Sequence, residues 1–207
     1  MSEKKQMKQH AWVYRAAQGV ANMLTHSIAP LTVHNAERLP AGGPVIFICN
    51  HQSFYDAVAV LEAGKHRKIA FMCKKELLKY KPCRWFFLQM GCIPVDRGNT
   101  DMAAMRACMK TLREGGVLGI FPEGTRHKQG VMEDLEGGTA LIAMRANAPI
   151  IPAYITPSFR FFRRMHLYVG TPIAFDDLRE AGINSETCRE LNSRITACYA
   201  DMVRKHG

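Results

Sequence analysis

The sequence predicts an α/β domain preceded by an N-terminal amphipathic helical segment. Three observations carry that prediction. Four short apolar runs, Val45–Cys49, Ile69–Cys73, Val117–Phe121 and Ile150–Ile155, fit strands buried on both faces. Helical patterns fall between and after them, the alternation of an α/β fold. A punctuation cluster, Leu39-Pro40-Ala41-Gly42-Gly43-Pro44, separates these from a helical-looking start. The expected organisation is a helical segment over residues 1–40 and an α/β domain over residues 41–207.

In chain order, residues 8–28 read as an amphipathic helix, with Trp12, Val13, Ala16, Val20, Met23 and Leu24 apolar. The strand Val45–Cys49 runs into the polar turn Asn50-His51-Gln52-Ser53, and Ala57–Leu61 continues as a helix. Gly91–Gly98 holds a short strand that delivers Arg97 to a glycine turn. Residues 99–113 carry Met102, Met105, Met109 and Leu112 at 3-4-3 spacing, opened by a cap at Asn99 or Thr100. Val117–Phe121 ends in Pro122-Glu123-Gly124-Thr125-Arg126-His127-Lys128. After Asn184-Ser185, the residues Cys188, Leu191, Ile195, Cys198 and Met202 repeat at 3-4-3-4. Both stripes read as core faces of helices docked on a sheet.

Composition narrows the classes. With 207 residues, 47% hydrophobic and 22% charged, the chain is globular and long enough to fold without disulfides or structural metal. Its 28 Lys and Arg against 18 acids give +10, which calls for an anionic partner: nucleic acid, membrane surface or acidic substrate. The seven cysteines form no C-x-x-C pair and no zinc-ligand spacing, so reduced thiols and no metal site are expected. The charged start MSEKKQMKQH, with no apolar region after it, reads as no secretory signal. No run approaches the ~18 apolar residues of a spanning helix.

Chemistry concentrates where strands end, as it does in α/β folds. His51 and Asp56 lie five residues apart. In one continuous helix they would sit about 140° apart and could not meet. With His51 in the turn and Asp56 in the first helical turn, the carboxylate can hold Nδ1–H and leave Nε2 as a base. A capping turn, with Asp56 favoured by the helix dipole, is the alternative. In the second segment, Gly124 permits a turn that aims backbone N–H groups at one point, and Thr125 adds a hydroxyl. Arg126 and Arg97 offer planar forks suited to phosphate.

Asn50-His51-x-x-x-x-Asp56 followed by Phe121-Pro122-Glu123-Gly124-Thr125-Arg126 resembles the PlsC-type 1-acyl-glycerol-3-phosphate acyltransferases. Gly91-x-Ile93-x-Val95-Asp96-Arg97 is similar to that family's second block, and Ile151-Pro152-Ala153-Tyr154-Ile155 stands where its fourth falls. The fourth departs from the usual aliphatic pattern at Ala153 and Tyr154, so only packing carries over to it. The resemblance implies a mixed, largely parallel central sheet flanked by helices. It implies acyl transfer from acyl-CoA or acyl carrier protein to the sn-2 hydroxyl of lysophosphatidic acid, giving phosphatidic acid without an acyl-enzyme. It makes His51 and Asp56 the catalytic pair, and Arg97, Glu123, Gly124, Thr125 and Arg126 the acceptor site. No cofactor beyond the thioester co-substrate is implied. A different lysophospholipid, or glycerol-3-phosphate, is the alternative acceptor.

A lysolipid acceptor resides in a bilayer. Lys4, Lys5 and Lys8 precede the Trp12 face, which suits an interfacial helix as well as a helix packed on its own domain. Lys79, Lys81 and Arg84 with Trp85-Phe86-Phe87-Leu88, and Phe159-Arg160-Phe161-Phe162-Arg163-Arg164, are basic-aromatic clusters suited to anionic headgroups or stacked bases. No nucleic-acid motif accompanies them, so an anionic membrane surface is the expected partner and nucleic acid is not. The expected location is the cytoplasmic face of a membrane, held peripherally. Of the rival classes, a basic nucleic-acid module leaves the two strand-end blocks unexplained. A serine hydrolase through Ser53 lacks a G-x-S-x-G elbow.

Overall fold

The computed structural model describes residues 10–96, 101–123 and 138–207. Among the described residues, seven strands form one sheet: β1 (Leu31–His34), β2 (Val45–Cys49), β3 (Ile69–Lys74), β4 (Ile93–Val95), β5 (Val117–Ile120), β6 (Ile150–Thr156) and β7 (Met165–Val169). Their order is β1-β7-β6-β2-β5-β3-β4, and every pairing is parallel except β6 with β7. The mixed, largely parallel α/β sheet implied by the sequence is the one found. The helices are α1 (Ala11–Ser27), α2 (Tyr55–Ala63), α3 (Lys81–Gln89), α4 (Met102–Arg113), α5 (Gly138–Ala146), α6 (Asp176–Glu180) and α7 (Ser185–His206).

Alternation along β2 organises two cores. Val45, Phe47 and Cys49 face the layer built by α1, α2 and α3, whereas Ile46 and Ile48 face α4, α5 and α7. β2, β5 and nearly all of β6 are therefore buried on both faces, as their unbroken apolar runs require. β3 departs from that expectation: its burial alternates, with Ile69, Phe71 and Cys73 buried in the α1–α3 layer and Ala70 and Met72 only partly covered on the opposite face, where β3 lies next to the edge strand β4.

Three sequence readings change. The sheet takes in β1, so the α/β layer starts upstream of the punctuation at residues 39–44. α4 is capped by Asp101, whose carboxylate accepts from the Ala103 and Ala104 N–H groups, and not by Asn99 or Thr100. Its buried line is Ala104, Cys108 and Leu112, with Met105 and Met109 packed beside it and Met102 exposed. α7 opens at Asn184 as read, with a capping box to Thr187.

The residues read as one apolar face of α1 divide in two. Val13, with Tyr14 and Ala21, turns into the core, while Trp12, Val20 and Met23 stay exposed. Tyr14 anchors the helix by accepting the Ile69 N–H at 2.9 Å and donating to the Arg67 carbonyl.

Candidate active site

The carboxyl ends of β2, β3 and β5 converge, and the residues just beyond each strand build the site. β2 hands over to Asn50, which is fully buried and polar. Its amide solves that problem by bridging strands: Nδ2 donates to the Ile155 carbonyl at 3.1 Å, and Oδ1 accepts the Ile155 N–H at 2.8 Å. The turn therefore leaves the sheet from a point fixed against β6.

Asp56, the second residue of α2, is completely buried. Its Oδ2 lies 3.1 Å from His51 Nδ1 and accepts the backbone N–H groups of Gln52 (2.6 Å) and Ser53 (2.7 Å). Oδ1 accepts the Ser53 hydroxyl at 2.9 Å. The two readings of this segment are thus the same structure: one carboxylate organises the turn and orients the imidazole. With Nδ1–H donated to Asp56, the lone pair is on Nε2, which has no hydrogen-bond partner among the described residues. The Ser53 hydroxyl is spent on Asp56 and on the Tyr55 N–H, which accounts for that side chain within the turn.

β5 supplies the floor. The Phe121 ring stacks on His51 with centroids 4.2 Å apart, and Phe71 of β3 lies nearly parallel to Phe121. Glu123 is buried; its Oε2 accepts the His51 N–H at 3.3 Å, while Oε1 has no partner among the described residues. Burial, together with the nearby Asp56 carboxylate, pushes Glu123 up to about 7, although the His51 N–H works against the shift. This residue sits behind the His51 backbone.

From His51 a groove of about 810 Å³ runs between α1, α2, α3 and the ends of β3, β4 and β5. Its walls are apolar, from Val13, Ala17 and Leu24 to Val58, Leu61, Phe87 and Met90, and its exposed rim includes Trp12, Val20, Phe54, Trp85 and Phe86. Among the described residues lining it, Lys74 at the end of β3 is the one formal cation. Reading by motif passed over Lys74; its signal was the same strand-end position that marked His51. Of the predicted site residues, His51, Asp56 and Glu123 come together here. Arg97, Gly124, Thr125 and Arg126 lie outside the described residues.

Fold and site together define a class: an α/β protein with a carboxylate-held imidazole at the carboxyl ends of its strands, open to an apolar groove. The chain belongs to the Acyltransferase family, whose family model matches residues 30–156. It is 34% identical over 146 residues to the 1-acyl-sn-glycerol-3-phosphate acyltransferase of Bacillus subtilis (strain 168), covering 68% of this chain and 72% of the relative. It is 28% identical to the enzyme of the same name from Streptococcus pneumoniae (strain ATCC BAA-255 / R6), over 94% of this chain and 74% of that one. The crystal structure of the 1-acyl-sn-glycerophosphate (LPA) acyltransferase PlsC from Thermotoga maritima superposes with a TM-score of 0.66 at 20% identity, covering 92% of this chain and 78% of that one. The PlsC-type resemblance read from the sequence blocks is borne out.

Proposed function

We propose that this protein transfers a fatty acyl group from an acyl thioester to the sn-2 hydroxyl of 1-acyl-glycerol-3-phosphate, forming phosphatidic acid. The observation that carries the reading is the His51 Nδ1–Asp56 contact of 3.1 Å, with His51 lining an apolar groove, in a chain whose relatives bear that enzyme name. An aliphatic hydroxyl is a poor nucleophile, so Nε2 takes its proton as the oxygen attacks the thioester carbonyl. Collapse of the tetrahedral intermediate expels the thiolate, which takes the proton from the imidazolium. A thiol of pKa about 8.5 leaves readily, so the step needs neither an enzyme nucleophile nor a metal or organic cofactor. Asp56 keeps the tautomer and stabilises the imidazolium.

The acceptor phosphate is assigned to Arg97 and Arg126, together with Gly124, Thr125 and Lys74. Glu123 is assigned to the same site through its hold on the His51 backbone. The acyl donor, acyl-CoA or acyl carrier protein, is itself acidic and suits the +10 surface. The groove rim supports a peripheral docking face on an anionic membrane: Trp12, Val20, Phe54, Trp85 and Phe86 are exposed where the groove opens. Phe161 and Phe162, 71% and 80% exposed, stand beside the end of α1, where the Phe162 N–H donates to the Ile28 carbonyl. No helix among the described residues is long and apolar enough to cross a membrane. The cytoplasmic face and the exclusion of nucleic acid belong to this reading.

The test is an incubation with an acyl thioester, following free thiol with and without lysophosphatidate on vesicles. Thiol release that requires the acceptor is expected; release without it would mark a thioesterase. Arg97→Ala or Arg126→Ala should raise KM for the acceptor much more than for the donor, with Lys a partial substitute.

A further inference from the structure

The strand that delivers His51 is braced from the face of the sheet opposite the groove. Tyr199, in the second half of α7, is fully buried in the core on the α4, α5 and α7 side. Its hydroxyl touches the backbone of two strands at once. It lies 2.8 Å from the Ile48 carbonyl and 2.9 Å from the Ala153 carbonyl, and it accepts the Ala153 N–H at 3.3 Å. The residue lies beyond every sequence block shared with the family, and the periodic stripe read along α7 skips it.

The place of these contacts gives them a consequence for the site. Ile48 and Ala153 stand on β2 and β6 where their ladder ends, at the pairing of Cys49 with Ala153. Asn50 and His51 follow directly, and the Asn50 amide ties itself to Ile155 beyond that rung. β2 is therefore held to β6 twice in succession, by Tyr199 before the turn and by Asn50 at its start. We propose that Tyr199 is a positioning residue for His51: its hydroxyl fixes the end of β2 against β6, and through that end the placement of the imidazole.

The physical basis is the cost of leaving buried backbone groups without partners. Ile48 and Ala153 are both fully buried, so bulk water does not reach their carbonyls. The phenol has one proton to donate and two carbonyls within reach, while its oxygen accepts the Ala153 N–H. Burial pushes the phenol well up, which keeps that proton in place across the neutral range. Without the oxygen, the rung must re-form between the strands themselves, and the end of β2 moves against β6. A general base has to lie within hydrogen-bond reach of the hydroxyl it deprotonates. Because a misplacement of about 1 Å can cost on the order of 10²-fold in rate, a shift of part of that size predicts a loss of about tenfold.

This proposal rests on His51 being the base of the acyl transfer, so one arm of its test does without turnover. Tyr199→Phe removes the hydroxyl and keeps the ring. In the folded variant kcat should fall about tenfold, while KM for thioester and for lysophosphatidate stays within about twofold. Ile195→Val, one turn away on the buried line of α7, disturbs packing without reaching the rung and should keep the parent kcat. The second arm follows the His51 ring C–H signals by nuclear magnetic resonance, assigned by their loss in His51→Ala. Phe121, stacked 4.2 Å away, shifts those signals by its ring current, and the shift should change in Tyr199→Phe. Parent-like kcat in the folded variant, or an equal loss in Ile195→Val, would overturn the positioning role, as would unmoved His51 signals. Should the phenylalanine variant not fold, Tyr199→Met, which also lacks the hydroxyl, takes its place with the same expected outcomes. A parent protein that transfers no acyl group, but whose His51 signals respond to Tyr199→Phe, would sink the proposed reaction alone.

Discussion

His51 is held from three sides: Asp56 on its ring nitrogen, Phe121 on its ring face and Glu123 on its backbone. His51→Ala should lower kcat by ~10²–10⁴ with the fold intact, the loss typical of a general base. A folded variant keeping more than about a tenth of the activity would remove the assignment. Asp56→Asn has a second cost beyond the wrong tautomer. Its amide N–H₂ would meet donors from Gln52, Ser53 or His51, whichever way it turned, so both activity and the turn should suffer. Glu123 gives a pH signature. Its carboxyl ordinarily titrates near 4.5 and is pushed to about 7 here, so the folded chain holds a proton that the unfolded chain has lost. Stability from this group therefore declines as pH rises from 4.5 through about 7. Denaturant titrations of Glu123→Gln across that window should show a flatter pH dependence than the parent. An unchanged slope would mean that Glu123 ionises normally.

The elements matter for how closely they approach. Gly119 of β5 faces β3, where an added Cβ would lie 2.8 Å from Ile69 Cγ2 and from Phe71 Cδ1. Both neighbours are buried, so neither can simply swing away. Gly119→Ala should cost about 1–3 kcal/mol in urea denaturation, the range of an overpacked core. Because Phe71 lies alongside Phe121, which stacks on His51, the same change should lower activity in the folded fraction. Wild-type stability in this variant would show that β3 and β5 can part without loss. Elements also explain what sequence reading passed over. α5, GTALIAMRA, is apolar on nearly every side because it is packed between α4 and α7, so it shows little period. β1 and β7 alternate polar and apolar residues, and β1 is only half-buried, so neither forms an apolar run. α3 opens Lys81-Pro82 and carries an aromatic cluster that reads as surface, since most of it faces the groove or solvent.

At the scale of the molecule, the proposed docking face and the groove share residues. Trp12 and Val20 of α1 stand opposite Trp85 and Phe86 of α3 around the opening, with Lys79, Lys81 and Arg84 close in sequence. Each Lys or Arg near an anionic surface contributes on the order of 1 kcal/mol and is screened by salt. Apolar insertion adds a part that salt does not screen. Vesicle co-sedimentation should therefore require anionic lipid, weaken at high salt without vanishing, and drop in a Trp12→Ser, Trp85→Ser double variant. The double change leaves Val13, Tyr14 and Ala21, which anchor α1, untouched. Undiminished binding would move the docking face elsewhere; binding indifferent to lipid charge and salt would defeat its electrostatic part.

The sequence by itself determined the central strands, the capped C-terminal helix and the chemistry at two strand ends. Each of these depends on local pattern: an unbroken apolar run, an Asn184 cap, or a fixed spacing such as His51 to Asp56. Tertiary structure alone decided which way α1 divides its apolar residues, because only the packed neighbour distinguishes Val13 from Trp12. It alone placed Lys74 on the groove, since that position depends on α1, α2 and α3 closing around the strand ends. Glu123 shows the boundary most clearly. Its identity was legible in the motif, but its hold on the His51 backbone comes from two strands, 72 residues apart in sequence, ending side by side.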